Sequence, residues 1–266
     1  MESEVSKSLP TSQLQHRLAS WLCTIPYTVV FILILVLFHP LHVVAALFGK
    51  RAHKWMLDRM NLSIVWNIRL LTGARYRVVG APQLEDNRSV ILIANHQSMY
   101  DIPMMMWECR AREVGFISKK ELGRWIPSIS FALRRLGSVL IDRRDAAQAV
   151  RDIEEFGRTK NAQQQVAVIF PEGTRARDGV VKKFKATGVN ALLRSMPDAI
   201  IQPVAIKGNW ELLRYHFWPI PWGTSIELEF LAPLEPSRME GRDVAAEAET
   251  RIRAAVSSFQ RCPTTI

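Results

Sequence analysis

A histidine and an aspartate, His96 and Asp101, follow directly after the short apolar run at residues 89–94. The run is rich in β-branched residues and predicts a buried strand. Residues five apart on one helix differ by roughly 140° in direction, so these side chains cannot pair well within a helix. They can pair if His96 lies on the turn after the strand and Asp101 opens the next helix, as Pro103 favours. This placement predicts a general base with an orienting carboxylate.

The carboxylate of Asp101 also has a purely structural interpretation. It can cap its own helix, or act with Ser98 as a capping box, because the two residues are spaced Ser-x-x-Asp. The sequence alone leaves both roles of Asp101 open.

A second polar block, Phe170-Pro171-Glu172-Gly173-Thr174-Arg175, follows another predicted strand. The amides of a glycine-containing turn, a hydroxyl and a guanidinium together favour the binding of a phosphate. The alternative is an ordinary turn whose arginine makes a surface salt bridge.

Two further predicted strands end in cations, at Asp142-Arg143-Arg144 and at Lys119-Lys120. Taken alone, each pair is typical of a solvated surface. Ligands of open α/β sheets bind at the carboxyl edge of the strands, however, and all four polar groups follow strands. The pattern therefore predicts that the base and these cations converge on one anionic substrate.

Other chemistries find little support in the sequence. Ser98 is not in a GxSxG turn, and neither GxxxxGK[ST] nor GxGxxG occurs. His96 and Asp101 are too few ligands for a metal ion, so we expect no metal site. The three cysteines are scattered without a CxxC pair, which favours reduced thiols in a cytosolic setting.

The elements that position these groups alternate between strand and helix. The predicted strands are 76–79, 90–94, 114–118, 138–141, 166–170, 200–206 and 225–231. The predicted helices are 102–111, 127–136, 146–160, 186–195 and 243–260. This alternation indicates an α/β fold with a mixed, mostly parallel sheet flanked by helices on both faces. The segment 217–223, rich in proline and tryptophan, is predicted to be a surface loop that could lie at a membrane interface.

The N-terminal part has a different composition and is predicted to bind a membrane. Residues 21–49 are apolar and long enough to cross a bilayer, although His39, Pro40 and His42 interrupt them. A basic collar follows at 50–54 and, if the apolar segment spans the membrane, would place the rest of the chain in the cytoplasm. The next helix carries an apolar stripe that fits either packing on a neighbour or lying on a membrane; the stripe consists of Met56, Met60, Ile64, Ile68 and Leu71.

These observations predict two units. Residues 1–73 would form a polar tail and a two-helix membrane-binding hairpin, apolar and amphipathic, which either spans or re-enters the membrane. Residues 74–266 would form the α/β domain. The net charge of +10 favours anionic partners such as phosphate-bearing substrates, acidic membrane surfaces or nucleic acid.

The four strand-end segments, in this order, resemble the 1-acyl-sn-glycerol-3-phosphate (lysophosphatidic acid) acyltransferase family of glycerolipid acyltransferases. Residues 95–101 match its NHxSxxD block, which contains the HX4D pattern, and residues 170–175 match its third motif at every position. Residues 137–143 and 201–206 are similar to its second and fourth motifs, the latter with Gln202 before the proline. The resemblance covers about residues 75–206.

The resemblance implies that His96 is the general base and Asp101 its orienting residue. It implies that the glycerol-phosphate end of the substrate is bound by Lys119, Arg143, Glu172, Gly173, Thr174 and Arg175. Lys120 could replace Lys119, and Gln97 is similar to the residue of the lysophosphatidate-specific members.

The implied reaction transfers a fatty acyl group to the sn-2 hydroxyl of 1-acyl-glycerol-3-phosphate, giving phosphatidic acid. The implied partners are the membrane lipid lysophosphatidic acid and a thioester donor, acyl-CoA or acyl carrier protein, with no cofactor and no nucleic acid. The alternatives are a related O-acyltransferase that acts on glycerol-3-phosphate or a lyso-aminolipid, and a non-catalytic basic protein that binds membranes or nucleic acid.

Overall fold

The computed structural model describes residues 11–84, 87–123, 126–135, 137–142, 144–235 and 243–259. Its strands are β1 Arg75–Val79, β2 Val90–Ala94, β3 Val114–Lys119, β4 Val139–Ile141, β5 Val166–Ile169, β6 Ile200–Lys207 and β7 Ser225–Phe230. Its α-helices are α1 Thr11–Leu47, α2 Lys50–Thr72, α3 Asp101–Glu108, α4 Ile129–Arg135, α5 Ala146–Ala162, α6 Ala186–Ser195 and α7 Val244–Ser257. Short 3-10 helices cover Lys120–Gly123 and Asn209–Leu213.

The strands form one sheet in the order β1-β7-β6-β2-β5-β3-β4. β6 and β7 pair antiparallel, and the other neighbouring pairs are parallel. β2 to β6 therefore run in one direction, whereas β1 and β7 run in the other. This confirms the predicted mixed, mostly parallel sheet and brings the carboxyl ends of β6, β2, β5 and β3 to one edge.

Both faces of the sheet are covered, as predicted. In the central strand β2, Ile91 and Ile93 pack in a cluster with side chains of α5, α6 and α7. Their neighbour Leu92 packs on the opposite face with Met105 and Cys109 of α3 and its end. Successive strand residues point to opposite faces, so a strand covered on both sides is apolar throughout. This explains why 89–94 is a continuous apolar run.

The α2 helix packs on α3 and so adds a layer over that face of the sheet. Met60, Ile64 and Ile68 are buried in one cluster with Tyr100 and Met104. The apolar stripe of α2 is therefore a packing face against a neighbour. The helix ends at Gly73, which adopts the left-handed conformation (φ 62°) that glycine tolerates best.

The α1 helix runs without interruption through Pro26 and Pro40, and its segment Gln15–Leu47 is long and apolar enough to cross a membrane. The expectation that His39, Pro40 and His42 interrupt the apolar segment was therefore wrong. Each proline removes only one helical hydrogen bond, and α1 is supported by α2 and by the domain.

Contacts with the α/β domain occur along much of α1. Near its start, the hydroxyls of Ser20 and Thr24 accept hydrogen bonds, each of 2.9 Å, from the backbone N–H groups of Trp222 and Ile220. Further along, the Nδ1 atom of His39 accepts a hydrogen bond of 3.1 Å from the backbone of Ser128. The segment 217–223 is thus a loop, as predicted, and it is docked on α1.

The other predicted strands and helices differ from the observed ones only in the residues at which they begin or end. Asp243 lies just outside α7 and caps it by accepting a hydrogen bond from the N–H of Ala245. The predicted boundary at residue 73 coincides with the end of α2, but side chains from both sides share one cluster. The division into two units therefore stays a prediction. Cys23 and Cys109 are free thiols, and Cys262 lies outside the described residues.

We expect the two faces of α2 to differ in their tolerance of truncation. Ile68→Ala should lower the free energy of unfolding by about 2–5 kcal/mol, because Ile68 is fully buried. Leu70→Ala on the same helix is the matched control, since Leu70 is 65% exposed, and should change it by less than about 0.5 kcal/mol. Thermal unfolding in detergent measures both, and equal effects would contradict the packing described for α2.

Candidate active site

His96 lies on the turn after β2, between the strand and α3, as the sequence predicted. Its Nδ1 atom is 2.7 Å from Oδ2 of Asp101, the first residue of α3. The imidazole stacks on the Phe170 ring with 4.2 Å between ring centroids. A proton on Nδ1 that is donated to the carboxylate leaves Nε2 as the proton acceptor. The ring is therefore held in the tautomer that a general base requires.

The Asp101 carboxylate orients His96 and also binds the backbone of the turn before α3. It is not the N-cap of its helix, because that position is Tyr100 and carries no side-chain cap hydrogen bond. Besides the imidazole, Oδ2 accepts hydrogen bonds from the backbone N–H groups of Gln97 (2.7 Å) and Ser98 (2.9 Å). The side chain is fully buried. A buried carboxylate is tolerated only when its oxygens are hydrogen-bonded, and the turn supplies these donors.

Glu172 connects the second polar block to the first. One carboxylate oxygen accepts a hydrogen bond of 2.8 Å from the N–H of His96, and the other accepts one of 3.2 Å from the N–H of Lys182. Burial raises the pKa of the Glu172 carboxyl to about 7, against the opposing effect of these two donors. Both oxygens are thus used to hold backbone, so the role that the geometry gives Glu172 is to position the turn that carries His96.

A cavity of about 670 Å³ with several cationic side chains in its lining opens beside His96. Of the residues predicted to bind phosphate, it is lined by Lys119, Gly173, Thr174 and Arg175. Lys119 rather than Lys120 lines it, because Lys119 is the last residue of β3 and Lys120 begins the 3-10 helix. Of the other two predicted residues, Glu172 is not part of this lining, and Arg143 lies outside the described residues.

The cavity also contains a cation that the sequence did not indicate, Lys182. Its Nζ atom donates to Oγ1 of Thr174 (3.1 Å) and to the carbonyl oxygen of Arg175 (2.7 Å). Arg177 lines the same space. Lys182 lies in an irregular segment, so no strand end marks it as a ligand, and only the folded loop brings it to the cavity.

Another residue missed in the sequence is Asn209, which follows β6 and is fully buried. Its Nδ2 atom donates a hydrogen bond of 2.5 Å to Oδ1 of Asp101. The strand-end rule applied to β6 would have singled out this residue. Gln97 faces the same loop, because its Oε1 atom accepts hydrogen bonds from the backbone of Asn209 (3.0 Å) and of Trp210 (3.4 Å).

A second cavity, of about 200 Å³ and mostly apolar, meets the first at His96 and Arg175. Its walls come from the hairpin and from the domain: Phe31 of α1, Leu57, Met60 and Ile64 of α2, and Met99, Tyr100 and Met106 around α3. The imidazole therefore lies between a cationic space and an apolar space.

Within the described residues, no group of three or more histidine, cysteine or carboxylate side chains could hold a metal ion. The absence of a cofactor stays a prediction. The polar groups that line the cavity beside His96 are mostly cations and hydroxyls, with one carboxylate at Asp178, and this set suits a phosphate rather than a metal.

The family model described as Acyltransferase matches residues 75–207, half of the chain, and this protein belongs to that family. The matched region begins at β1 and ends with β6, so it contains His96, Asp101 and the polar block at 170–175.

Two proteins with similar sequences are 1-acyl-sn-glycerol-3-phosphate acyltransferases. The chain is 30% identical over 175 residues to a 1-acyl-sn-glycerol-3-phosphate acyltransferase of Limnanthes douglasii, covering 64% of this chain and 57% of the relative. It is 32% identical over 142 residues to the human 1-acyl-sn-glycerol-3-phosphate acyltransferase alpha, and this match covers 53% of this chain and 48% of the human protein. The matched regions thus span about half the length of these relatives.

The fold is also similar to that of a solved structure. The crystal structure of the 1-acyl-sn-glycerophosphate acyltransferase PlsC from Thermotoga maritima has a TM-score of 0.74 with this chain at 22% identity, covering 91% of this chain and 96% of that one. At this level of identity the likeness establishes the fold alone.

The raised pKa of Glu172 predicts a pH-dependent stability. The folded-state pKa of about 7 lies above the ordinary value of 4.5. The stabilisation of the folded state that comes from protonated Glu172 is therefore complete below about pH 4.5, and it is lost as pH rises through about 7. Glu172→Gln removes this titration, so the unfolding free energy of wild type relative to the variant should fall by about 2–3 kcal/mol from about pH 5 to pH 8.

Thermal unfolding at a series of pH values measures this difference. Glu155→Gln, at an exposed position of α5, is the matched control and should leave the pH dependence as in wild type. A stability difference between wild type and Glu172→Gln that stays constant across the range would contradict the prediction.

Proposed function

We propose that this protein transfers a fatty acyl group from a thioester, acyl-CoA or acyl carrier protein, to the sn-2 hydroxyl of 1-acyl-glycerol-3-phosphate, giving phosphatidic acid for phospholipid synthesis. The observation that carries the proposal is the position of His96 at the junction of a cationic cavity and an apolar cavity. An acyl-glycerol phosphate has a dianionic end and an apolar tail, with the reacting hydroxyl between them.

The His96 imidazole acts as a general base in this reaction. Its Nε2 atom takes the proton of the sn-2 hydroxyl as the oxygen attacks the thioester carbonyl. An ester C–O bond forms, the C–S bond breaks, and the leaving thiolate takes the proton from the imidazolium. Asp101, hydrogen-bonded to Nδ1, stabilises the positive charge that His96 carries between these steps. A thioester is already activated, so no covalent enzyme intermediate is needed.

The phosphate of the acceptor is held in the cationic cavity. Arg175 and Lys119 are the cations that the sequence indicated, and Lys182 adds a third. The Thr174 hydroxyl supplies a further donor, so a dianion would be matched by charge-assisted hydrogen bonds. A phosphate fixed at this end sets the distance of the sn-2 hydroxyl from Nε2 of His96. This charge balance favours a phosphate-bearing acceptor over a lyso-aminolipid.

The apolar cavity is suited to an acyl chain. Its lining combines side chains of α2 such as Met60 and Ile64 with Ile129 and Leu133 of α4. A chain held there lies between the hairpin and the domain, with its carbonyl or glycerol end at His96. The hairpin is therefore part of the binding site as well as a means of attachment.

We further propose that α1 lies along one leaflet of the membrane without crossing it. Its contacts with the domain extend from Ser20 to His39, and a helix held along its side in this way cannot pass through a bilayer. Thirty-seven residues extend about 55 Å. The face away from the domain is apolar and exposed, with Leu22 (75% exposed), Ile25 (59%) and Leu37 (59%).

The surroundings of α1 support a cytoplasmic orientation. The loop residue Trp218 is 52% exposed and packs edge-on against Trp21, with 5.7 Å between ring centroids. Tryptophan is enriched at membrane interfaces. The basic residues Lys50, Arg51 and Lys54 follow the apolar helix and would be attracted to the anionic lipids of the cytoplasmic leaflet, which favours the cytoplasmic side for the α/β domain.

His96→Ala should reduce acylation of lysophosphatidate by ~10²–10⁴-fold, because the general base is lost. The assay supplies lysophosphatidate with either acyl-CoA or acyl-acyl carrier protein and identifies the product by mass spectrometry. His216→Ala is the control, since His216 lies exposed in the loop before Trp218. Turnover of His96→Ala at the wild-type rate would refute the proposed function.

Arg175→Ala should raise the KM for lysophosphatidate by about 10- to 100-fold, since a charge-assisted hydrogen bond to the phosphate is lost. In the same membranes, competition with glycerol-3-phosphate and a lyso-aminolipid tests the acceptor. If either competitor is clearly preferred by wild type, the acceptor assigned here is wrong although the reaction class stands.

Replacing two exposed leucines of α1, Leu22→Ser with Leu37→Ser, should weaken binding to anionic lipid vesicles by at least about tenfold, because apolar area is lost from the membrane-facing side. Val180→Ser is the matched control, since Val180 is 61% exposed but lies far from α1 in sequence, in the polar segment after β5. Vesicle flotation measures both. Undiminished binding of the double variant would contradict the proposed orientation of α1.

A further inference from the structure

The loop after β6 is built to bring one side chain to the catalytic aspartate. Gly208 at its start adopts φ 74°, and a Cβ atom there would lie 2.0 Å from the carbonyl oxygen of Ser225, so only glycine fits. The next residue, Asn209, is fully buried. Its backbone N–H donates to Oε1 of Gln97 at 3.0 Å, which fixes the loop to the residue that follows His96.

The Asn209 carboxamide completes the hydrogen bonding of the Asp101 carboxylate. Oδ2 of Asp101 is used by His96 and by the backbone of the turn. Oδ1 of Asp101 accepts a hydrogen bond of 2.5 Å from Nδ2 of Asn209. With a donor on each oxygen the carboxylate cannot rotate about its C–C bond without losing hydrogen bonds in a buried site.

The oxygen atom of the same carboxamide, Oδ1, makes no comparable hydrogen bond among the described residues. Oδ1 of Asn209 is buried, and within the described part of the chain it has no hydrogen-bond partner. A buried polar atom without a partner destabilises a fold. An apolar residue would avoid this cost, so the carboxamide is explained by what its Nδ2 atom does for Asp101.

We propose that Asn209 is a positioning residue for the catalytic base, acting through Asp101 on His96. This inference rests on the proposed function of His96. The amide donor holds the carboxylate in the rotamer that receives Nδ1–H of the imidazole. It also takes up part of the negative charge on Asp101, so that the imidazolium formed during the reaction is not held too strongly to release its proton.

The test is Asn209→Leu, which keeps the approximate shape and removes the donor. We expect kcat to fall about 10- to 100-fold while the KM for lysophosphatidate changes less than about threefold, because Asn209 does not contact the substrate. We also expect the acid limb of the pH profile of kcat/KM to move to higher pH, because the freed carboxylate oxygen leaves more charge facing the imidazole.

The matched control is Gln202→Leu. Gln202 is a buried polar residue of β6, the strand that precedes Asn209, and its side chain bonds to backbone at Ala81, Gln83 and Leu231, away from His96. This variant should lower thermal stability without moving the pH profile. If Asn209→Leu behaves in the same way, with wild-type kcat and pH profile in the folded fraction, Asn209 is structural and the proposal is overturned.

A double-mutant cycle separates an effect through Asp101 from an independent one. In an Asp101→Ala background, Asn209→Leu should lower kcat by less than about twofold, since its target is already absent. A further loss as large as in wild type would overturn the proposal. Asn209→Ser, which retains a shorter donor, should recover part of kcat and serves if the leucine variant does not fold.

The same experiments distinguish this proposal from the proposed function. His96→Ala at the wild-type rate would reject the general base itself and with it any residue acting through it. An inactive His96→Ala enzyme combined with an unchanged Asn209→Leu enzyme would reject the role of Asn209 alone.

Discussion

The site depends on one buried charge, the carboxylate of Asp101. An ionised group inside a protein persists only when hydrogen bonds replace its lost hydration. Its donors come from two segments far apart in sequence, the turn after β2 and the loop after β6. Satisfying this charge therefore fixes the imidazole of His96, the start of α3 and the position of Asn209 at the same time.

The strand order places different functional residues on the two sides of His96 along the sheet edge. β6 lies on one side of β2 and is followed by Asn209, whereas β5 lies on the other and is followed by Glu172 and the rest of the polar block at 170–175. His96 thus lies between the loop that carries Asn209 and the segment that lines the cationic cavity. Glu172 ties these halves together, because its carboxylate holds the backbone of His96 on one side and of Lys182 on the other.

The hairpin of α1 and α2 contributes both to a buried cluster of the domain and to the wall of the apolar cavity. Side chains of α1 and α2 share a buried cluster with Tyr100 and Met104 of the segment that carries Asp101, and they form one wall of the apolar cavity. The exposed side of α1 is apolar, and its other side packs against the domain, so the apolar cavity beside His96 is enclosed in part by the N-terminal helices.

Local patterns in the sequence determined the elements and the centre of the site. Short apolar runs rich in β-branched residues and the polar residues that follow them sufficed to predict the strands of the described sheet, the turn position of His96 and the grouping of Lys119 with Arg175. The tertiary structure alone decided that α1 continues through its prolines, that Glu172 holds backbone, and that Lys182 and Asn209 reach the site. These features depend on which strands become neighbours and how loops fold over them, and burial of non-local surfaces sets that choice. His96 and Asp101 are neighbours in the sequence, so a local pattern was enough to predict that they act together. The hydrogen-bond donor to the second oxygen of Asp101 is Asn209, 108 residues away, and only the pairing of β6 with β2 brings it there.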